Sequence, residues 1–215
     1  METYILSILT FLPVAGIVAI LFIPKENKEI IKIVAAVTTG IQLLLAIQLV
    51  AGFQTGVKAM QFVEHWQWIP KFNIEYFLGV DGLSVPLVFL TALLSFLGVF
   101  ASWNIPKATK GYFALFLLLD TGMMGVFVSL DFFLFYIFWE VMLLPMYFLI
   151  GLWGGPKREY AAIKFFLYTL FGSVLMLLAM LALYFSNEPH TFNMLTLIEN
   201  SDRLTVMSIW GFQAS

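Results

Sequence analysis

Apolar residues run along this chain in six long blocks separated by short polar breaks. The blocks are Tyr4–Ile23, Ile33–Ala51, Leu83–Ala101, Gly111–Leu130, Phe132–Trp153 and Ala161–Phe185. At 1.5 Å per residue, a helix over each block reaches roughly 30 Å, the thickness of a bilayer's hydrocarbon core. The pattern predicts an all-α integral membrane protein with six transmembrane helices, forming a single membrane domain over residues 1–215. Between the second and third blocks, Gly52 to Val80 is the one long polar connection. Around Trp68-Ile69-Pro70 it alternates, with Phe72, Ile74 and Tyr76 on one side and Lys71, Asn73 and Glu75 on the other. A period of two flanking a turn predicts a short external β-hairpin. The competing reading is an irregular loop on the membrane surface whose tryptophans are interfacial anchors.

After Phe185 the chain is polar through Ser186–His190 and partly amphipathic through Thr191–Glu199. It becomes apolar again at Val206-Met207-Ser208-Ile209-Trp210. That last stretch is too short to span and reads as the start of a seventh crossing. Met1-Glu2-Thr3 carries no positive region and no small-residue cleavage site follows, so the first block is expected to be a retained helix and not a signal peptide.

Composition supports the membrane reading: 61% of residues are hydrophobic and 11% charged, whereas soluble domains carry about 25% charged residues. There is no cysteine, which excludes disulfides, thiol catalysis and cysteine-ligated clusters. The histidines, His65 and His190, lie far apart in polar segments. With no dinucleotide fingerprint and no mid-membrane histidine, no redox site, cofactor or metal is expected in this chain. A net charge of −2 without a basic patch gives no basis for nucleic-acid binding; the bilayer is the expected surrounding. Lys25, Lys28, Lys32, Lys107, Lys110, Lys157, Arg158 and Lys164 fall at one end of the helices, and Lys58, Lys71 and Arg203 at the other. The positive-inside rule puts the first set in the cytoplasm and the N-terminus outside.

Four acids border or enter the spans. Asp81, ahead of the third helix, is expected to cap free backbone N–H groups. Asp131, in the short link between the fourth and fifth helices, is expected to cap the fifth and complement its dipole. Asp120 lies ~14 Å from the inner end of the fourth helix and Glu140 ~12 Å from the outer end of the fifth. Their depths therefore differ by only ~5 Å, and the two helices are expected to be antiparallel neighbours. Both acids are candidates for one polar layer that relays protons. An acid mid-span costs ~2.5–3.5 kcal/mol, which is much for a single structural interhelical bond, so Glu140 is the stronger candidate. No Lys or Arg occurs mid-span, so a cationic partner for Glu140 must come from elsewhere. Pro145 frees the Val141 carbonyl, either as a place for polar groups or as a packing kink. Gly122, Gly125 and Ser129, with Gly172 and Ser173 on the sixth helix, are expected to permit close helix approach.

The run from Phe132 through Trp139-Glu140-Val141 and Pro145-Met146-Tyr147 to Gly154 resembles the fifth helix of the chain M-type, antiporter-like subunits of bacterial proton-pumping NADH:quinone oxidoreductase, respiratory complex I. Leu78-Gly79-Val80-Asp81-Gly82-Leu83-Ser84 and Ala162-Ile163-Lys164-Phe165-Phe166-Leu167-Tyr168-Thr169 carry the same resemblance. Trp139-Glu140 alone is similar to sister subunits and to multisubunit sodium/proton antiporters, while Pro145-Met146-Tyr147 points to the chain M group. The resemblance implies a proton channel in a membrane arm of a translocase, in the bacterial inner membrane, with other membrane-arm subunits as partners. NADH, flavin, iron–sulfur clusters and quinone would then belong to other subunits. Glu140 matches the family's essential acid, which pairs with a lysine on the seventh helix. Because family chains continue well past that point, the resemblance implies the N-terminal portion of a longer subunit. An antiporter subunit, or a structural membrane scaffold, are the alternatives.

Overall fold

The computed structural model describes residues 4–200. Their order is α1 (Ile5–Phe22), α2 (Lys28–Gly52), β1 (Gln61–Ile69), a 3₁₀ turn (Pro70–Phe72), β2 (Ile74–Val80), α3 (Ser84–Ala101), α4 (Thr109–Val128), α5 (Phe132–Trp153), α6 (Arg158–Ser186) and α7 (Met194–Glu199). Among the described residues, α1 to α6 are long and apolar enough to cross a membrane. The expected seventh crossing at Val206–Trp210 and the N-terminal Met1–Thr3 lie outside the described residues.

Helices α1 to α4 form the packed centre. Toward the hairpin, Leu6, Leu9, Ala46, Leu49, Val88 and Met124 join Leu78 and Val80 of β2 in one apolar cluster. At the other end Ile20, Ile31, Ala35, Val99, Phe113 and Leu117 form a second. Helix α5 packs on α4, and α6 on α5. The α4–α5 contact is close because two glycines face it. A Cβ on Gly122 would stand 3.1 Å from the Phe138 carbonyl, and one on Gly125 would fall onto the Phe138 ring. Gly172 is different: nothing lies within 4 Å of where its Cβ would be. It is not a packing glycine, contrary to expectation.

β1 and β2 pair antiparallel, with register shifts near Gln61/Glu64 and Gln67/Ile69. The alternation expected from Phe72 onward starts later. Pro70–Phe72 is the 3₁₀ turn, and Asn73 takes a left-handed φ of 52° that its short polar side chain tolerates. Phe72 is therefore half exposed in the turn and not on the inner face with buried Ile74. The hairpin does not stand apart. Leu130 N–H donates to Phe77 O at 2.8 Å, Met194 to Leu130 O at 2.9 Å, and Phe132 to Phe192 O at 2.8 Å. The α4–α5 link is thus held between β2 and residues 191–194.

Carboxylates meet the helix N-termini at this end. Asp81 Oδ1 accepts from Leu83 N (3.0 Å), Ser84 N (2.7 Å) and Ser84 Oγ (2.7 Å), as expected of a cap. The Ser84 bonds hold its carboxyl below the usual carboxylate range. Asp131 Oδ1 accepts from Phe133 N (2.9 Å) and Leu134 N (3.0 Å), and its Oδ2 takes Glu75 N of β2 at 3.2 Å. Burial pushes Asp131 up to about 6, against the pull of those N–H bonds. Helix α1 has no acid in its first turn. Glu64 of β1 supplies it, accepting from Leu6 N at 2.8 Å, Ser7 N at 3.2 Å and the Ser7 hydroxyl. At the opposite end Lys110 Nζ donates to Leu21 O and Ile23 O, both at 2.9 Å, where the α1 dipole is negative.

Candidate functional site

The two acids singled out from sequence do not share a site. Glu140 faces α6 and Asp120 faces α3 and α2. Rotation about the helix axes decides this, and it could not be read from depth alone: the α4 face toward α5 is taken by Gly122 and Gly125, so Asp120 points away from α5.

Asp120 lies between the two apolar clusters and is fully buried. Ser95 Oγ of α3 donates to its Oδ1 at 2.6 Å, and the Gln42 side chain of α2 stands beside it. Gln42 is held by a second feature. Pro13, inside α1, has no N–H for the carbonyl of Leu9 four residues back. Gln42 Nε2 donates to that carbonyl at 3.1 Å. That bond uses one of the two Gln42 N–H groups; Gln42 Oε1 and Asp120 Oδ2 are both buried without a hydrogen-bond partner among the described residues. One proton carried on the Asp120 carboxyl would relieve its own unpaired oxygen, and a Gln42 acceptor stands beside it to receive the bond.

Glu140 is half-buried on α5. Ser173 Oγ of α6 donates to its Oε1, and the same Oγ lies 3.3 Å from the Tyr136 hydroxyl, one turn before Glu140 on α5. The polar neighbourhood is one-sided. On another flank of α5, Trp139, Met142 and Met146 line an apolar cavity of about 320 Å³ with Leu119 and Phe165. Among the described residues Lys32 meets Glu29 at 2.7 Å and His65 Nε2 meets Glu75 at 3.1 Å, the latter an ion pair only with His65 protonated, and neither contact involves Glu140 or Asp120. Pro145 is buried in a helix that continues to Trp153. Lys164 stands over the Tyr160 ring, 5.9 Å from its centroid.

The sequence reading missed Ser95, Gln42, Pro13 and Tyr136, and took Ser173 as a small packing residue. Some signal was present: Gln42 is an amide inside an apolar block, and Tyr136 precedes Glu140 by four residues, one helical turn.

Six helices able to span, with the carboxyls of Asp120 and Glu140 away from their ends, define a multi-pass membrane protein. The chain belongs to the family described as NADH-ubiquinone oxidoreductase chain 4, whose amino-terminal profile matches residues 5–137. A second profile, NADH:quinone oxidoreductase/Mrp antiporter, TM, matches residues 129–213. The chain is 45% identical over 185 residues to NADH-quinone oxidoreductase subunit M of Rhodobacter capsulatus, covering 84% of this chain and 36% of that protein. To the same subunit of Rickettsia prowazekii (strain Madrid E) it is 38% identical over 203 residues, 93% of this chain and 41% of the relative. A chain of respiratory complex I from Thermus thermophilus superposes with a TM-score of 0.77 at 26% identity, over 90% of this chain and 39% of that one. The chain thus spans about two fifths of the length of the relatives it matches and corresponds to their N-terminal part.

Proposed function

We propose that this chain is part of a proton-translocating membrane-arm subunit of an NADH:quinone oxidoreductase, with Glu140 as a mid-membrane relay acid. The observation that carries the reading is a carboxyl inside a spanning helix whose polar contacts are two hydroxyls, within a chain of this family. A carboxyl inside a spanning helix can hold a proton, and a cation brought close by the rest of the subunit would favour its release. NADH oxidation and quinone reduction, with flavin and iron–sulfur clusters, belong in this reading to other subunits, and other membrane-arm subunits are the partners. The protein sits in the bacterial inner membrane with six crossings, the N-terminus and the hairpin outside, and the lysine-rich end in the cytoplasm. Asp120 is the second candidate acid. Its environment is closed, so its place in a proton path is tested by whether Asp120→Asn lowers pumping.

A second reading, a subunit of a multisubunit sodium/proton antiporter, is favoured by the profile matching residues 129–213, which covers both groups. The profile over residues 5–137 favours the first. Purifying the tagged full-length protein from membranes separates them. NADH:quinone oxidoreductase activity travelling with the tag supports the first reading, and its absence from an intact multisubunit assembly supports the antiporter. A scaffold role predicts that Glu140→Gln changes nothing.

A further inference from the structure

Most serine and threonine hydroxyls within the helices bond back to their own backbone. Thr10, Thr38, Thr39, Thr91, Thr121 and Thr169 each donate to the carbonyl four residues back on their own helix. Such back-bonding is the ordinary way to satisfy a hydroxyl in a helix. Ser95 and Ser173 do otherwise. Each reaches across to a neighbouring helix, and each meets one of the two embedded acids, Asp120 and Glu140. Ser173 is 3% exposed, so its bond is made out of reach of solvent in this chain.

We propose that Ser173 and Tyr136 are positioning residues for Glu140, with Ser173 acting as a reversible partner that serves both protonation states of the acid. This inference rests on the reading of Glu140 as a proton carrier. A carboxylate needs a donor, whereas a protonated carboxyl needs an acceptor; a fixed cation or a fixed carbonyl serves only one of these. A serine hydroxyl is one donor and two lone pairs on a rotor. Ser173 has a single proton, so it cannot donate to Glu140 and Tyr136 together. When Glu140 is ionised, the order is Tyr136 O–H to Ser173 Oγ, and Ser173 O–H to Glu140 Oε1. When Glu140 carries a proton, Glu140 donates to Ser173 and Ser173 donates to the Tyr136 oxygen. The reversal needs only hydroxyl rotation. No proton is created or lost by the three residues: the one that Glu140 gains or gives comes from, and leaves to, the path on either side. Tyr136 lies on the same face of α5 because four residues make about one turn.

Other groups near Glu140 do not compete for this role. The α4 surface packed on α5 presents Gly122 and Gly125, and Tyr136 is a titratable side chain in contact with Glu140. A small serine at a helix contact is the packing alternative, and it makes a different prediction, because packing does not depend on the hydroxyl.

The test is NADH-driven proton pumping against pH by the full-length protein in its assembled complex, reconstituted in liposomes, for Ser173→Ala, Ser173→Thr, Tyr136→Phe and Glu140→Gln. Ser173→Ala is expected to lower pumping by about tenfold, the kinetic equivalent of one hydrogen bond, and to displace the pH profile. Ser173→Thr is expected to restore both, and Tyr136→Phe to displace the profile with a smaller loss. Wild-type pumping and pH profile for Ser173→Ala, beside an inactive Glu140→Gln, overturns the role of Ser173 and leaves the relay reading standing. Equal losses for Ser173→Ala and Ser173→Thr also overturn it, since packing would then be the cause. If Ser173→Ala does not assemble, Tyr136→Phe decides, and an unchanged profile there overturns the proposal. Normal pumping by Glu140→Gln removes the relay reading itself.

Discussion

Pro13 and Gln42 are matched across the α1–α2 contact: the proline leaves the Leu9 carbonyl without its helical donor, and Gln42 Nε2 takes that carbonyl at 3.1 Å. The bond lies in a fully buried environment, where an unpaired carbonyl costs ~1–3 kcal/mol. Gln42→Leu is therefore expected to destabilise the protein by about that amount. In a Pro13→Ala background the backbone N–H of residue 13 can serve Leu9, and the same Gln42 change should cost less. Thermal unfolding of the four variants of this cycle measures the coupling; equal costs in both backgrounds would show that the two residues act independently.

Glu64 ties the hairpin to α1 by accepting at Leu6 N, Ser7 N and the Ser7 hydroxyl. Glu64→Ala removes the only side-chain cap that α1 has among the described residues. A loss of about 1–2 kcal/mol is expected, together with faster amide exchange at Leu6 and Ser7. Unchanged exchange at both amides would mean that the cap is not maintained in the membrane.

Two glycines, one on α4 and one on α6, should respond differently. Gly125→Ala places a methyl group on the Phe138 ring and must push α4 from α5, whereas Gly172→Ala meets open space. Overpacking of this kind costs typically ~1–3 kcal/mol. Assembly yield and thermal stability are expected to fall for Gly125→Ala and to hold for Gly172→Ala; the reverse order would contradict the packing described.

Asp120→Asn supplies an N–H donor for the Gln42 oxygen and keeps an acceptor for Ser95. It is expected to leave stability near wild type. Asp120→Leu leaves the buried Ser95 hydroxyl without its partner and should cost ~1–3 kcal/mol by thermal unfolding. If Asn destabilises as much as Leu, Asp120 is held by more than these hydrogen bonds.

The six helices were legible because each apolar block is long enough to span and is followed by a polar break. Strand pairing was legible from alternation near Trp68, but the turn was misplaced by the 3₁₀ segment at Pro70–Phe72, which alternation cannot reveal. The caps at Asp81 and Asp131 followed from position. The cap at Glu64 did not, because residues 64 and 6 meet only through the folded hairpin. Of the candidate site, both acids were visible as charges in apolar runs. Their separation onto opposite sides of the α4–α5 pair was not, since it depends on Gly122 and Gly125 setting the rotation of α4. The hydroxyl partners were hidden for the same reason: Ser173 looks like any small residue until α6 is placed on α5.

The central claim is that Glu140 carries protons, and Glu140→Gln in the full-length protein tests it most directly. Glutamine keeps the volume and an acceptor for Ser173 but holds no transferable proton at physiological pH. In an assembled, NADH-oxidising complex reconstituted in liposomes, proton pumping by this variant is expected to fall at least about tenfold. Pumping at the wild-type rate in the same preparation would contradict the account.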